Sequence, residues 1–506
     1  MTPFYLQSAA ILALNDKLSA QKFSAVFNKP YSLKWQKAEK RSVTFLDSFD
    51  GRLNNSGYTL TLDDQQLLLK SVKLKNEYTT EDWSQKSFPR RAQDFNNPGM
   101  AKVLEKILDV RNLSKILTLK LTARPFSILN SDLKTVARGH FLQCASSYPQ
   151  INHAQTIIML APLRGYSVEV KELQKTFPAF KRYSIFTQAI LSTYKIDLRD
   201  YSKPSYDLAS KQNISEALFE ILYKNFLIMR KNEQGIIDDI DIEFLHDYRV
   251  ACRRMRSALS LIKNIIEPVA LQMLKLDLKQ RGRNSGPLRD LDVYLLREEE
   301  YKELLPDDWP QKDIHAIFVK LKSQRKSAHG RMVKMLKSAE YVDLVERWQH
   351  FFNNFEQHTV SDAPLLKTVS ALVMRWFKRI LNSGQSLTAK DPDEKFHNLR
   401  IACKKLRYLL EFFGPLYPKV LGSSAVRQLK KLQENLGEFN DYSVQIETLN
   451  QLLNRSVKPR INFVKTVAGL ITVLDYKMHQ LKNEFYTLFA DFSSEKNIKL
   501  YNKIFG

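Results

Sequence analysis

One stretch of this chain is written twice. His246-Asp-Tyr-Arg249-Val-Ala-Cys252-Arg253-Arg254-Met-Arg256 aligns with His397-Asn-Leu-Arg400-Ile-Ala-Cys403-Lys404-Lys405-Leu-Arg407, 151 residues further on. The same offset aligns a second block without a gap. Leu278-Lys279 meets Leu429-Lys430, and Asn284 meets Asn435. Gly286-Pro-Leu-Arg289-Asp290-Leu-Asp292-Val293 meets Gly437-Glu-Phe-Asn440-Asp441-Tyr-Ser443-Val444. Two separated blocks in one frame mark a structural repeat. Residues 205–506 are therefore expected to be two copies of one unit, with repeat one about 205–358 and repeat two about 359–506.

The hydrophobic period says what that unit is made of. After residue 205 apolar residues recur at helical spacing. The expected helices are Ile214–Lys231, Ile242–Ile266, Val269–Arg281, Leu288–Leu304, Ile314–Leu336 and Val342–Phe355. Leu365–Leu381, Glu394–Phe413, Val426–Leu436, Asp441–Leu453 and Phe463–Ala490 follow. Only 15 Gly and 18 Pro occur in 506 residues, a scarcity of breakers that suits long helices. Short connections favour antiparallel packing, so this half is expected to be all-α, two repeated helical bundles.

Residues 1–200 read differently. Arg41–Phe49, Tyr58–Leu62, Gln66–Val72, Ile116–Ala123, Thr135–Gln143, Thr156–Leu160 and Tyr166–Lys171 read as strands. Asp50-Gly51 is a turn signal and Ala101–Leu108 a short helix. A multidomain chain follows, with an α+β domain over 1–200 built on a mainly antiparallel sheet. Tyr201-Ser-Lys-Pro-Ser205 reads as a linker.

Lys and Arg total 78 against 54 Asp and Glu, a net charge of +24 that points to an anionic partner. The surplus divides evenly between residues 1–200 and 201–506, so clustering rather than net charge must locate a site. Three distant cysteines, Cys144, Cys252 and Cys403, offer neither a disulfide framework nor metal spacing, which suits a reducing cytoplasm. The apolar stretch Ala9–Leu14 has no basic residue before it, as a secretory signal would. No run of 18 apolar residues exists, so no membrane span is expected.

The clusters sit on the repeated helices. At 100° per residue His246, Arg249, Arg253 and Arg256 share about an 80° arc. Ala251, Met255, Ala258, Leu259 and Ile262 occupy the opposite side, free to pack. His397, Arg400, Lys404 and Arg407 repeat the stripe, with Arg254 and Lys405 beside it. Like charges in a row repel, and an anion rich in oxygens relieves that repulsion. Arg matches phosphate through its planar fork, while Lys acts as a mobile point charge. Lys279, Arg281, Arg283, Arg289, Lys430 and Lys431 are further candidates, as is the basic face Lys322, Arg325, Lys326 and His329. A charged helix face is usually only solvated; here duplication in one frame argues for a ligand. The two histidines read equally as structural or as ligand contacts. Asp290 and Asp441 read as caps or as partners of basic residues rather than as catalytic groups.

With these motifs the C-terminal part resembles the CHAD domain, the conserved histidine α-helical domain. The matching pieces are His246-x-x-Arg249 through Arg256 with Leu288-Arg289-Asp290-Leu-Asp292, then His397-x-x-Arg400 through Arg407 with Asn440-Asp441. In the second set Asn440 stands for the arginine and Ser443 for the second aspartate. The resemblance implies two pseudo-symmetric bundles with a basic surface or channel between them. It also implies binding of inorganic polyphosphate and association with polyphosphate granules, without catalysis, cofactor or metal.

Residues 1–200 resemble a degenerate CYTH domain, the triphosphate tunnel fold. The resemblance rests on Phe45-Leu-Asp47-Ser-Phe-Asp50-Gly-Arg52-Leu53 with Gly57, on Lys134-Thr-Val-Ala-Arg138 and on Leu163-Arg164-Gly-Tyr166. The family's Glu-x-Glu-x-Lys motif is missing, and the scattered acids, including Glu169 and Glu172, form no nameable constellation for a divalent metal. A metal-dependent triphosphatase, with the helical part as a polyanion tether, is the alternative reading. Nucleic acid is disfavoured, because no helix-turn-helix, zinc finger or aromatic RNA-binding motif occurs.

Overall fold

The structure is a computed structural model. It describes residues 10–14, 16–27, 30–72, 78–85, 87–152, 154–175, 180–183, 186–196, 198, 204–306, 311–361, 363–388, 390–417, 419–454 and 461–506. The chain divides into two compact units, Met1–Tyr201 and Ser202–Gly506. The expected linker 201–205 falls mostly outside the described residues, at 201–203.

The first unit is an antiparallel sheet of ten strands. They are β1 (Ala10–Leu14), β2 (Ser32–Trp35), β3 (Glu39–Ser48), β4 (Tyr58–Asp63), β5 (Gln66–Ser71), β6 (Tyr78–Asp82), β7 (Leu113–Leu129), β8 (Thr135–Tyr148), β9 (Ala154–Pro162) and β10 (Lys181–Tyr183). Their order is β10-β1-β9-β8-β7-β3-β4-β5-β6, with β2 also on β7. Helices α1 (Ala20–Ser24), α2 (Arg52–Asn55), α3 (Pro98–Leu108), α4 (Ser167–Lys175) and α5 (Phe186–Thr193) complete it. The β7–β8 hairpin forms the spine, because long runs of alternating residues bury one row on each face. At its turn Asn130 Oδ1 accepts from the amides of Asp132 and Lys134 at 3.1 and 3.0 Å, so a short polar side chain closes the loop. Helix α5 lays Phe186, Ala189 and Ile190 on one face, against Val43, Leu117 and Leu142. Phe23 of α1 and Val170 of α4 cover the other, against Phe126 and Ile158.

One expected strand, Tyr166–Lys171, is helical. Its apolar residues satisfy both periods, and burial decides between them. Val170 and Leu173, three apart, are buried, while Val168 is 71% exposed. The Asp50-Gly51 turn is present. Gly51 has φ of 68°, and a Cβ there would lie 2.6 Å from the Leu198 carbonyl oxygen, so both conformation and space require glycine.

The second unit is helical. Its elements are α6 (Ile214–Ile237), α7 (Ile242–Leu261), α8 (Pro268–Leu295), α9 (Glu298–Glu303), α10 (Gln311–Leu336) and α11 (Ala339–Asn353). Then come α12 (Leu365–Gln385), α13 (Asp393–Phe413), α14 (Lys419–Asn454), α15 (Ile461–Phe492) and α16 (Glu495–Phe505). Start signals are explicit: Asp241 caps α7 by accepting from the Glu243 and Phe244 amides, and Asn213 with Glu216 forms a capping box at α6. Helix α7 packs between α6 and α8, and α13 between α12 and α14; α7 also meets α13, and α6 meets α12. Near the starts of α6 and α12 the backbone pairs reciprocally. Ile214 N donates to Ala363 O at 3.0 Å and Leu365 N to Gln212 O at 3.2 Å.

Two expected breaks do not exist. Val269–Arg281 and Leu288–Leu304 are joined in α8 up to Leu295, straight through Pro287, and Val426–Leu436 and Asp441–Leu453 lie in one helix, α14. Proline costs one backbone bond, but Leu278 and Leu288 on either side of it are both buried, and that packing outweighs the local penalty. Helix α16 has no counterpart among the expected elements.

Candidate functional site

The repeated helices bring their basic stripes to one cleft of about 770 Å³. From α7 come His246, Arg249 and Arg253; from α8, Arg289 and Asp290; from α13, Arg400 and Lys404; from α14, Asn440 and Asp441. Arg297, just after α8, and Arg331 of α10 add to them, so seven cationic side chains face two carboxylates, Asp290 and Asp441. Tyr294, Gln324, Gln445 and Gln451 supply neutral polar contacts.

Each cation is held differently. Arg249 Nη1 donates to Gly282 O at 3.1 Å and to Ser285 Oγ at 2.8 Å, which pins the guanidinium across α8. Arg289 lies 3.6 Å from Glu243, and Arg400 4.0 Å from Asp441. Yet the Nε groups of Arg253 and Arg400 are buried and donate to nothing. An unfilled charged donor out of water is costly, and an oxyanion would satisfy it. Burial, then Arg400, Arg253 and Arg407, pushes the Lys404 ammonium down to about 7. Burial lowers Arg249, Arg289 and Arg400 as well, with Arg253 adding repulsion to each. Burial and the facing Asp441 raise Asp290, against the pull of Arg249 and Arg289.

The stripe does not act as a whole. Ten residues of helix rise about 15 Å, and the cleft spans only part of that length. Arg256 is exposed outside it, as are Lys279, Arg283, Lys326, Lys430 and Lys431. His397 stands at the rim, its Nδ1 3.0 Å from Asn440 Oδ1. Other candidates are occupied by partners. Arg325 is clamped by Asp239 and Asp292 at 2.7 Å each, Lys322 pairs with Glu298 at 3.1 Å, and Arg407 with Glu411 at 3.0 Å. His329 Nε2 lies 2.7 Å from Ile236 O. Arg254 faces Glu411 at 3.6 Å, and Lys405 sits over the Trp376 ring. Arg281 is a core residue, buried at 8% exposure over Tyr341. Arg297, Arg331, Tyr294 and the glutamines were not among the sequence candidates. Arg297 and Tyr294 share the repeat offset with Thr448 and Gln445, but their residue types differ, so the repeat did not flag them.

One group among the described residues has metal-ligand geometry: Glu243, His246 and Asp247, with ligand atoms within 4.8 Å of one another. Glu243 already faces Arg289. The three cysteines are free and buried, and burial raises all three thiols.

In the sheet unit the motif carboxylates serve the fold. Asp47 accepts from the amides of Ser48, Leu53 and Asn54 at 2.7 to 3.0 Å, and burial pushes it up to about 6. Burial acts to raise Asp50 too, but Arg111 and Arg52, at 3.3 and 3.2 Å, hold it below the usual range. Lys134, Arg138 and Arg164 are exposed. Glu172 pairs with Lys175 at 2.7 Å.

Residues 220–450 match the family model of the CHAD domain. The helical unit carries a CHAD domain. A crystal structure of the CHAD domain from the plant Ricinus communis is similar in fold, at 23% identity and a TM-score of 0.50, covering 57% of this chain and 95% of that one. PptA from Streptomyces chartreusis aligns at 13% identity and a TM-score of 0.45, over 55% of this chain and 99% of its own. No curated protein matches the chain. The family match lies wholly within the helical unit, whose described helices include none long and apolar enough to cross a membrane.

Proposed function

We propose that this cleft binds inorganic polyphosphate without catalysis, between two copies of one helical bundle, and that the protein associates with polyphosphate granules in the cytoplasm. The observation that carries the reading is the convergence of Arg249, Arg253, Arg289, Arg400 and Lys404 on one cavity, with two buried guanidinium N–H groups lacking acceptors. A linear chain of phosphates supplies acceptors at many points along such a cleft, as a single small anion does not.

The duplicated bundle is supported by where the 151-residue offset falls. Arg249 and Arg400, Arg253 and Lys404, Arg289 and Asn440, Asp290 and Asp441, Val293 and Val444, Tyr294 and Gln445, and Arg297 and Thr448 all line the cleft as offset pairs. The reciprocal bonds Ile214 N to Ala363 O and Leu365 N to Gln212 O obey the same offset, as expected of groups astride a pseudo-twofold axis.

The sheet unit's resemblance to the tunnel fold is supported by its antiparallel strands alone. The carboxylates of its motif are engaged in caps and ion pairs, so nothing favours hydrolysis there over binding in the cleft. Titration with long-chain polyphosphate at several salt concentrations tests the proposal. Binding should be micromolar or tighter and weaken steeply with salt through counterion release. Absence of binding, or preference for duplex DNA at matched salt, would overturn it.

A further inference from the structure

Beside the cleft lies a second group of cations that the first leaves unused. Trp376 of α12 is 8% exposed. Lys405 Nζ sits 4.6 Å from the centroid of its ring and Arg379 Cζ 5.1 Å away. The charge of Lys263, in the segment after α7, acts on Lys405. Burial, then Arg379 and Lys263, depresses the Lys405 ammonium. None of these three cations has an ion pair among the described residues, and the buried Trp376 Nε1–H has no acceptor. A cation over an indole face gains some attraction, but that leaves its mutual repulsion with like charges in place.

The offset relation shows that this is a departure from symmetry. The position of Lys405 in the first half is held by Arg254, and Arg254 is neutralised by Glu411 at 3.6 Å. Glu411 corresponds to Ser260, and Lys263 to Gly414. So around Lys405 the carboxylate is replaced by a hydroxyl and a further cation is added.

We infer that Arg379 and Lys405, both over the Trp376 ring, form with the added charge of Lys263 a second phosphate-binding subsite, separate from the cleft. It rests on the polyanion-binding reading for its ligand class. Its chemistry matches a phosphate oxyanion: a guanidinium fork and two ammonium donors, none of them paired with a carboxylate among the described residues. Lys404 lines the cleft and Lys405 is the next residue on α13, about 100° around the helix. A polyphosphate chain or a separate short phosphate could supply the anion.

The test uses the full chain and the emission of Trp376, assigned by comparison with Trp376→Phe. Pyrophosphate and long-chain polyphosphate are titrated separately. A change with pyrophosphate marks a site for free phosphate ends, and a change only with the long chain marks one for internal phosphates; either supports the subsite. Unchanged Trp376 emission with both overturns it. In the Lys263→Ser/Arg379→Ser variant, which alters only exposed side chains, the response should be lost. Its slope of log affinity against log salt for the long chain should fall by about 2. A variant with unchanged response and slope also overturns the subsite. Failure of the cleft reading shows separately, as long-chain binding that survives Arg253→Glu/Lys404→Glu while the Trp376 response persists.

Discussion

The two halves of the helical unit agree only in part where they face each other, and they differ inside. At the cleft, Arg249 and Arg253 correspond to Arg400 and Lys404, so charge is kept there, whereas Arg289 and Arg297 correspond to Asn440 and Thr448. In the interior the first half buries a polar network: Glu233 accepts from Tyr341 and Arg230, Arg281 lies over Tyr341, and Tyr248 is fully buried alongside. The offset partners of Glu233, Tyr248 and Arg281 are Gly384, Leu399 and Leu432. Those three positions carry no polar side chain, and Phe489 presses against the backbone where Gly384 lacks a side chain, although Gln433 and Asn435 are buried elsewhere in this half. Packing can be solved in several ways for one backbone. Cations that face a shared cavity from both sides, as Arg249, Arg253, Arg400 and Lys404 do, have no packing reason to be there, which supports the proposed polyanion reading.

Four experiments sharpen this contrast. The largest effect should come from Arg253→Glu/Lys404→Glu, one residue from each side. Polyphosphate affinity should fall by at least about 100-fold with helicity unchanged by circular dichroism, because two attractions become repulsions in a desolvated cleft. Next, the interiors should fail by different routes. A Cβ at Gly384 would lie 2.0 Å from the Phe489 ring, so Gly384→Ala should destabilise the unit by about 1–3 kcal/mol in denaturant melts. Glu233→Gln should cost about 1–2 kcal/mol by weakening the buried bonds from Tyr341 and Arg230.

A third effect concerns pH and separates Lys404 from its counterpart Arg253. Lys404 is pushed down to about 7 in the folded chain. The unfolded value is ~10.4. Between those values the unfolded chain binds the extra proton, so the contribution of Lys404 to stability rises with pH from about 7 toward ~10. Bound phosphate favours the charged ammonium, so binding takes up a proton, and affinity should fall by up to about tenfold per pH unit above 7. Lys404→Arg should keep binding and flatten that dependence, read by calorimetry in buffers of different ionisation enthalpy. A wild-type affinity independent of pH from 6 to 9 would count against this account of Lys404. The smallest effect belongs to cations outside the cleft. Lys322→Ala and Lys430→Ala remove only exposed pairs with Glu298 and Glu434, and should change affinity less than about twofold.

Much of this was legible in advance. Helical spacing placed most helices after residue 205, alternation placed the long strands before it, and the duplicated His-x-x-Arg block picked out α7 and α13. The failures share a cause. Tyr166–Lys171 satisfied two periods, and only the burial of Val170 and Leu173 chose the helix. The expected helices left a gap between Arg281 and Leu288, and tertiary packing carries α8 through it and through Pro287. The stripe was read as one surface, although Arg256 and Arg407 lie beyond the reach of the cleft and Arg325 is consumed by Asp239 and Asp292.

The sequence alone determined the helical character of this half, the 151-residue offset of the duplicated motif and which helix faces are basic, because these are patterns along one chain. Only the tertiary structure decided which of those cations remain available. Whether a guanidinium meets a carboxylate, as Arg254 meets Glu411, or an indole, as Lys405 meets Trp376, depends on residues far apart in sequence that packing brings within 3.6 and 4.6 Å.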